Sequence, residues 1–284
     1  MAQTVNYGAL PSEYSHPASA RIVLVPVPYD RTSTWVKGAD KGPDAIFRAS
    51  ANMELYDIET DSQVYLEGIF TDQPVPVELA PEEMVAAVRQ RVQSHLANNR
   101  FTGVVGGEHS VSVGAVQAHA SRYPGMAVLQ LDAHSDLRDE YEGSRYNHAC
   151  VMARLRELCP IVQVGIRSMD ISEKPALGAG RVFFAEDIHA GTTWVEEIVD
   201  KLAEKVYVTV DLDVFDPSIM PSTGTPEPGG LLWYDVLALL RTVCRRRDVV
   251  GFDIVELCPT ETSWAPDFLA AKLIYKILSY KFRG

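Results

Sequence analysis

The chain has 284 residues, 46% of them hydrophobic, and 26 Lys+Arg against 38 Asp+Glu, a formal net charge of −12. That length and apolar share support a sizeable core, in one large α/β domain or two smaller ones. The acidic balance argues against nucleic acid as a partner, which requires a basic face, and no apolar run approaches the roughly 20 residues of a membrane span.

The first predicted strand is Arg21 to Val27, near-continuous in β-branched and apolar residues and therefore buried on both faces. Pro43 starts a short helix to about Asn52. Pro81 to Leu96 reads as a helix, with Glu82 and Glu83 at its positive end and Met84, Val88, Val92 and Leu96 as an apolar stripe. Alternation then continues: strand 101–105, helix 110–122, strand 126–131, helix 147–158, strand 161–165, strand 182–184, helix 194–205 and strand 206–210. A Pro/Gly loop from Asp216 to Gly230 follows. Val236, Leu239, Leu240 and Val243 mark a further helix, Val249 to Val255 a strand, and Ser263 to about Tyr280 a closing helix. Repeated β-α units predict an α/β fold with a central, mostly parallel sheet covered by helices on both faces. No linker divides the chain, so residues 1–284 are expected to form a single domain with a core of about 21–280 and an N-terminal extension of 1–20. Met1 to Pro17 lacks a positive segment followed by an apolar one, so no secretory signal is expected. Cys150, Cys159, Cys244 and Cys258 lack CxxC spacing and fit reduced thiols in a cytoplasmic protein.

Three strand ends carry the chemistry. Strand 101–105 runs into Gly106-Gly107-Glu108-His109-Ser110, strand 127–131 into Asp132-Ala133-His134-Ser135-Asp136, and strand 206–210 into Asp211-Leu212-Asp213. If the backbone stays extended, Asp132, His134 and Asp136 share one face, as do Asp211 and Asp213. Four carboxylates packed together are costly unless a cation offsets them. Two imidazoles and four carboxylates suit a pair of divalent ions, and Mn²⁺, Zn²⁺, Fe²⁺ and Co²⁺ all accept such ligands. Two ions about 3.5–4 Å apart would lower the pKa of a water between them toward ~7, the equipment of a metallohydrolase. A lone Asp at a strand end is usually a helix cap or turn former; three motifs of ligand types at successive strand ends are not explained that way. Glu108 has the simpler role of stabilising a helix start with Ser110. Asp30 reads as a turn residue, with the cleft mouth as its alternative. His95, His119 and His189 read as structural or exposed.

These motifs resemble the signatures of the ureohydrolases, the arginase/agmatinase family. Thr223 to Gly230 (TGTPEPGG), Asp253-Ile254-Val255-Glu256 and Val27-Pro28-Tyr29-Asp30 with Gly42-Pro43 extend the likeness over about residues 21–280, and agmatinase is the most similar branch. The resemblance implies an arginase/deacetylase-like three-layer α/β/α fold and two Mn²⁺ per subunit. One would be held by His109, Asp132, Asp136 and Asp211, the other by His134, Asp132, Asp211 and Asp213, with Asp132 and Asp211 bridging. It implies hydroxide attack on a guanidinium carbon, releasing urea and an amine. Asp136 would help move the proton, Glu256 would anchor the guanidinium, and His148 would shuttle a proton or orient substrate. Thr225 would bond substrate or only shape its loop. Glu256 has an alternative as ion-pair partner of Arg245–Arg247, and His148 as a helix-start residue. A small cationic guanidino substrate and a homo-oligomer, trimer or hexamer, are also implied.

The segment 137–148 lacks the arginase-type Asn pattern, and Asn147 to Met152 resembles the agmatinase version. Agmatine, hydrolysed to putrescine and urea, is the expected substrate. Asp139, Glu140 and Glu142 would favour a distal ammonium, whereas Arg138 and Arg145 leave guanidinobutyrate open. A formiminoglutamase and a non-catalytic family member are the other readings. A dinucleotide-binding module is excluded, since no GxGxxG follows the first strand.

Overall fold

The structure, a computed structural model, describes residues 5–284, so the first four residues of the expected extension lie outside the described residues. In chain order it contains α1 (Ser12–Ser15), β1 (Ile22–Val27), α2 (Gly42–Ser50), β2 (Ile69–Thr71), α3 (Pro81–Ala97), β3 (Phe101–Gly106), α4 (Val111–Arg122) and β4 (Ala127–Leu131). There follow α5 (Val151–Leu155), β5 (Ile161–Ile166), β6 (Val182–Phe184), α6 (Ala185–Ala190), α7 (Trp194–Lys201), β7 (Lys205–Asp211), α8 (Trp233–Arg246), β8 (Asp248–Val255) and α9 (Ala265–Arg283).

The strands form one eight-stranded sheet in the order β2-β1-β3-β8-β7-β4-β5-β6, and every pairing is parallel. A parallel sheet must hide both faces, and the alternation of side chains shows how this one does. Ile22 and Leu24 of β1 join Ala127, Leu129 and Leu131 of β4 and Val206, Val208 and Val210 of β7 in one core, with residues of α2, α7, α8 and α9. Val23, Val25 and Val27 turn the other way, with Val128, onto α3, α4 and α5. The result is the expected helix–sheet–helix sandwich.

Several boundaries differ from the predicted ones. β2 is an edge strand of three residues, too short to show a pattern in sequence. The predicted helix 194–205 stops at Lys201 because the chain must enter β7 at Lys205. The predicted helix 147–158 is a 3-10 turn at His148–Cys150 followed by α5, and Asn147 caps that turn by accepting a hydrogen bond from Ala149 N at 2.9 Å.

β3 and β4 are consecutive in the chain's β-α succession yet lie apart in the sheet, with β8 and β7 between them. Connections leaving such a point diverge and open a crevice beyond the strand ends. The four central strands, β3, β8, β7 and β4, all deliver their carboxyl ends to that crevice.

Candidate metal centre and substrate cleft

Each central strand contributes one group of polar residues: Glu108 and His109 after β3, Asp132 to Asp136 after β4, Asp211 and Asp213 at the end of β7, and Glu256 after β8. The local backbone that aims them is not the extended one expected. His134 N donates to Asp132 Oδ1 at 2.6 Å, closing a tight turn. Asp136 has φ 51°, in the left-handed region, as does Glu256 with φ 67°. Such conformations in non-glycine residues cost of order 1–3 kcal/mol and concentrate at functional sites. Asp213 lies in a 3-10 turn, Leu212–Val214, whose cap is the Asp211 side chain, accepting from Asp213 N at 2.9 Å. Asp211 is thus a helix cap and a member of the cluster at once. Gly107 is required where the β3 loop crosses the β1 loop, since a Cβ there would stand 2.1 Å from Tyr29 O.

The side chains converge. His109, Asp132 and Asp211 offer ligand atoms within 4.8 Å of one another, and so do Asp132, His134 and Asp213, with Asp132 common to both groups. Asp136 joins the first group, its Oδ2 3.0 Å from His109 Nδ1. Asp211 belongs to the first group only, so the second expected bridge is not drawn in as closely as the first. His134 Nδ1 stands 2.9 Å from Asp213 Oδ2. Burial, with Asp136 and Asp213 beside it, pushes the Asp132 carboxyl up to about 7. Burial, with Asp213 and Asp132 close, also drives Asp211 well above the carboxylate range. For Asp213, burial is outweighed by His134 and the Ala133 amide, which hold it at about 2. His134, despite burial, is raised by Asp213 to about 10.

A row of buried polar residues lies one step below, on the same face. Gln163, Gln130, Thr209 and Asp253 are register neighbours across β5, β4, β7 and β8. Gln130 Nε2 donates to Asp132 Oδ2 at 2.7 Å and takes its own orientation from Gln163 Nε2, at 2.7 Å from Gln130 Oε1. Thr209 Oγ1 donates its only hydrogen to Asp253 Oδ1 at 2.6 Å, so it must accept from His109 Nε2 at 2.9 Å. That puts a proton on His109 Nε2 and turns Nδ1, buried and without a hydrogen-bond partner, toward three carboxylates. Without a cation, and despite burial, Asp132 and Asp136 raise the His109 pKa well above its usual value. A buried Nδ1 aimed at carboxylates, with Nε2 held by an outer partner, is the arrangement of a metal-ligating imidazole. The oxygen and imidazole donor set fits hard or borderline divalent cations. Sequence reasoning gave no role to this row; a Gln or Thr inside an otherwise apolar strand was its one signal.

Above the acids is a cleft of about 270 Å³ lined by Asp136, His148, Thr225 and Glu256, among others. Glu256 Oε1 accepts from His109 N at 2.7 Å and faces His148 Nδ1 at 3.7 Å. The alternative of an arginine partner fails: Arg246 pairs with Glu196 and Asp200, Arg247 donates to Val199 O, and among the described residues no ion pair joins Glu256 to an arginine. Burial disfavours the charged form of His148, yet Glu256 beside it raises its pKa overall. Glu108 does accept from Ser110 Oγ at 2.6 Å. Its larger role is to hold the loop after β1, through Thr32 N and Oγ1 at 2.5 Å each and Ser33 N at 2.9 Å. Asp30 is the turn residue expected, accepting from Gly38 N at 2.6 Å. His95 bonds Asp72, His119 is buried against Thr102, and His189 meets Gly229 and Gly230 carbonyls.

The acidic loop corrects the sequence reading. Asp139 is taken by Arg145 and Arg154, and Glu140 and Glu142 are exposed away from the cleft. The loop presents Arg138 and Tyr141 to the cleft instead, and the acids lining that side are Asp170 and Glu173 from the segment after β5.

The Arginase family model matches residues 20–279. A protein of Synechocystis named N(1)-aminopropylagmatine ureohydrolase is 38% identical over 275 residues, covering 93% of this chain and 90% of that protein. One of the same name from Thermus thermophilus is 41% identical over 266 residues, covering 92% and 90%. The crystal structure of agmatine ureohydrolase of Thermoplasma volcanium superposes with a TM-score of 0.88 at 30% identity, covering 100% of this chain and 96% of that one.

Proposed function

The chain belongs to the arginase family of ureohydrolases, and on that premise we propose that it is a binuclear metal amidinohydrolase of linear, amine-ended guanidines. Agmatine, hydrolysed to putrescine and urea, is the parent substrate, and the N(1)-aminopropyl derivative named for its 38% and 41% identical relatives is the longer form. The observation that carries the reading is the shared Asp132 between two imidazole–carboxylate groups, directly beneath a cleft containing Glu256 and His148.

In this reading His109, Asp132, Asp136 and Asp211 hold one ion, and His134, Asp132, Asp211 and Asp213 the other. When bound, two divalent ions, Mn²⁺ by the family's habit, supply an activated water and offset the charge of the carboxylates. The chain's own residues do the rest. Glu256 accepts the guanidinium through charge-assisted hydrogen bonds; its Oε1 is already oriented by His109 N. Asp136, whose Oδ2 is turned to His109, accepts a proton at its other oxygen, Oδ1, during attack on the central carbon. His148, held between Glu256 and the loop by its backbone bond to Thr32 Oγ1 at 2.9 Å, delivers or orients a proton for the leaving amine. Thr225 lines the same cleft and bonds substrate or shapes its loop.

The test is urea release from manganese-loaded protein with agmatine, N(1)-aminopropylagmatine, guanidinobutyrate and arginine. The two amines are expected to exceed the two acids in kcat/KM; faster turnover of guanidinobutyrate overturns the substrate assignment. Asp132→Ala is expected to abolish turnover and to lower bound metal below two per subunit, because the lost carboxylate serves both groups. A variant that keeps two ions and full rate removes the binuclear reading.

A further inference from the structure

The outer wall of the cleft already holds a cation of the protein's own. The Arg138 guanidinium carbon lies 4.5 Å from the centroid of the Tyr141 ring. Its Nε stands 3.2 Å from Glu173 Oε1, and its Nη2 4.0 Å from Asp170 Oδ2. The two sides of this contact are unequal. The Glu173 side chain is 4% exposed and is fixed by a hydrogen bond from Ser135 Oγ, whereas the Arg138 side chain is 32% exposed. The arginine touches Glu173 through one nitrogen, without the two-pronged fork that makes an arginine–carboxylate pair strong. The acid and the ring are therefore built in, and the guanidinium that rests on them is replaceable. Arg138, Tyr141, Asp170 and Glu173 border the same cleft as Asp136 and Glu256.

We propose that Arg138 is a specificity-determining residue that occupies the seat a substrate's terminal ammonium needs, so that amine-ended guanidines must displace it and acid-ended ones are drawn to it. An alkylammonium is a like-for-like replacement for the guanidinium: it takes the same carboxylate and lies over the same ring face. A terminal carboxylate meets repulsion from Glu173 and Asp170 and finds its partner in Arg138 itself. The swing of one side chain at the rim thus sets the discrimination between the two classes, and any charge on the exposed acids at 139, 140 and 142 contributes little. The proposal rests on the preceding reading, in which the guanidino end of the substrate lies toward Glu256.

The experiment uses manganese-loaded full-length protein, with Arg138→Gln, Arg138→Lys and Glu173→Gln. Two quantities are read: the ratio of kcat/KM for agmatine to that for guanidinobutyrate, and the calorimetric Kd of agmatine for the same proteins with their metal chelated, so that none is hydrolysed. Losing one partly exposed ion pair and cation–π contact from the competitor is worth about fivefold. Arg138→Gln is expected to raise the ratio and tighten agmatine binding by about that factor, while Arg138→Lys keeps the wild-type ratio. Glu173→Gln is expected to weaken agmatine binding. An unchanged or lower ratio in Arg138→Gln, with melting showing the variant folded, overturns the proposal. If wild type releases no urea from any guanidine, the functional reading fails by itself. The Kd comparison then still decides: tighter agmatine in Arg138→Gln supports the displaceable seat, and an equal or weaker Kd removes it.

Discussion

At the scale of single residues, the groups at the strand ends were legible because their types are seldom found together for structural reasons. Asp132, His134, Asp136, Asp211 and Asp213 could be read from position alone, and they do gather in one crevice. What was illegible is what orients them. Thr209 stands in Val206-Tyr207-Val208-Thr209-Val210, where a β-branched hydroxyl residue is ordinary strand composition. Only the cross-strand neighbour Asp253 and the loop residue His109, 44 and 100 positions away in sequence, give its hydroxyl a direction. The same is true of Glu173, whose partner Ser135 is 38 residues distant. This relay yields a prediction. Thr209→Val keeps the shape of the strand and removes the acceptor of the His109 Nε2 proton, so the imidazole loses its fixed tautomer and aim. Outer partners of this kind are worth about 10–100-fold in metal affinity. Manganese titration of the purified variant is expected to show one site weakened by that range and the other retained, with Thr209→Ser restoring the weakened one. Equal weakening of both sites, or none, would count against the relay.

At the scale of elements, the long buried strands and α3 were readable because hydrophobic period and capping residues agree. The three-residue β2 and the 3-10 turns were not, since each is shorter than the window in which a period can be seen. The tight seat of α4 on the sheet was equally hidden. His119 projects from α4, donates from Nδ1 to Ala115 O (2.8 Å), accepts at Nε2 from Thr102 Oγ1 (3.0 Å), and lies 4.7 Å from the Tyr207 ring centroid. Gly251 of β8 must be glycine to admit it, as a Cβ there would stand 2.2 Å from His119 Nε2. Complete burial lowers the His119 pKa from 6.5 to about 4. The folded state then binds fewer protons than the unfolded state between those values. Stability from this group is present above pH 6.5 and is lost as pH falls toward 4, with a slope of up to about 1.4 kcal/mol per pH unit. Urea unfolding of wild type and His119→Gln at matched pH is therefore expected to give a stability gap that narrows on acidification through this window. A gap independent of pH would mean that His119 is not held neutral.

At the scale of the whole molecule, the β-α succession predicted a parallel sheet with both faces covered, but strand order is not written in any local segment. It follows from crossovers that return β7 and β8 to the middle of the sheet, between β3 and β4. That order turns three motifs far apart in the chain into one acid-lined crevice, and it makes the fold carry a concentrated charge. Without cations, two opposing histidine charges do not remove the strain. Asp132 is raised to about 7 and Asp211 well above its usual range by burial and by neighbouring carboxylates. His134 is raised to about 10 by Asp213 despite burial. All three shifts have one sign: the folded, metal-free protein holds protons that the unfolded chain would release. Their stabilising contribution is complete below pH 4 and is lost as pH rises, through about 7 for Asp132 and about 10 for His134. Bound divalent ions replace those protons, so metal adds more stability as pH increases. Melting temperatures of chelated and manganese-saturated protein, measured in parallel, are expected to draw apart from pH 5 to pH 8. Taking the difference at each pH cancels His119 and every other group common to both forms. A difference that is constant, or that shrinks with pH, would show that the ions do not enter through these carboxylates.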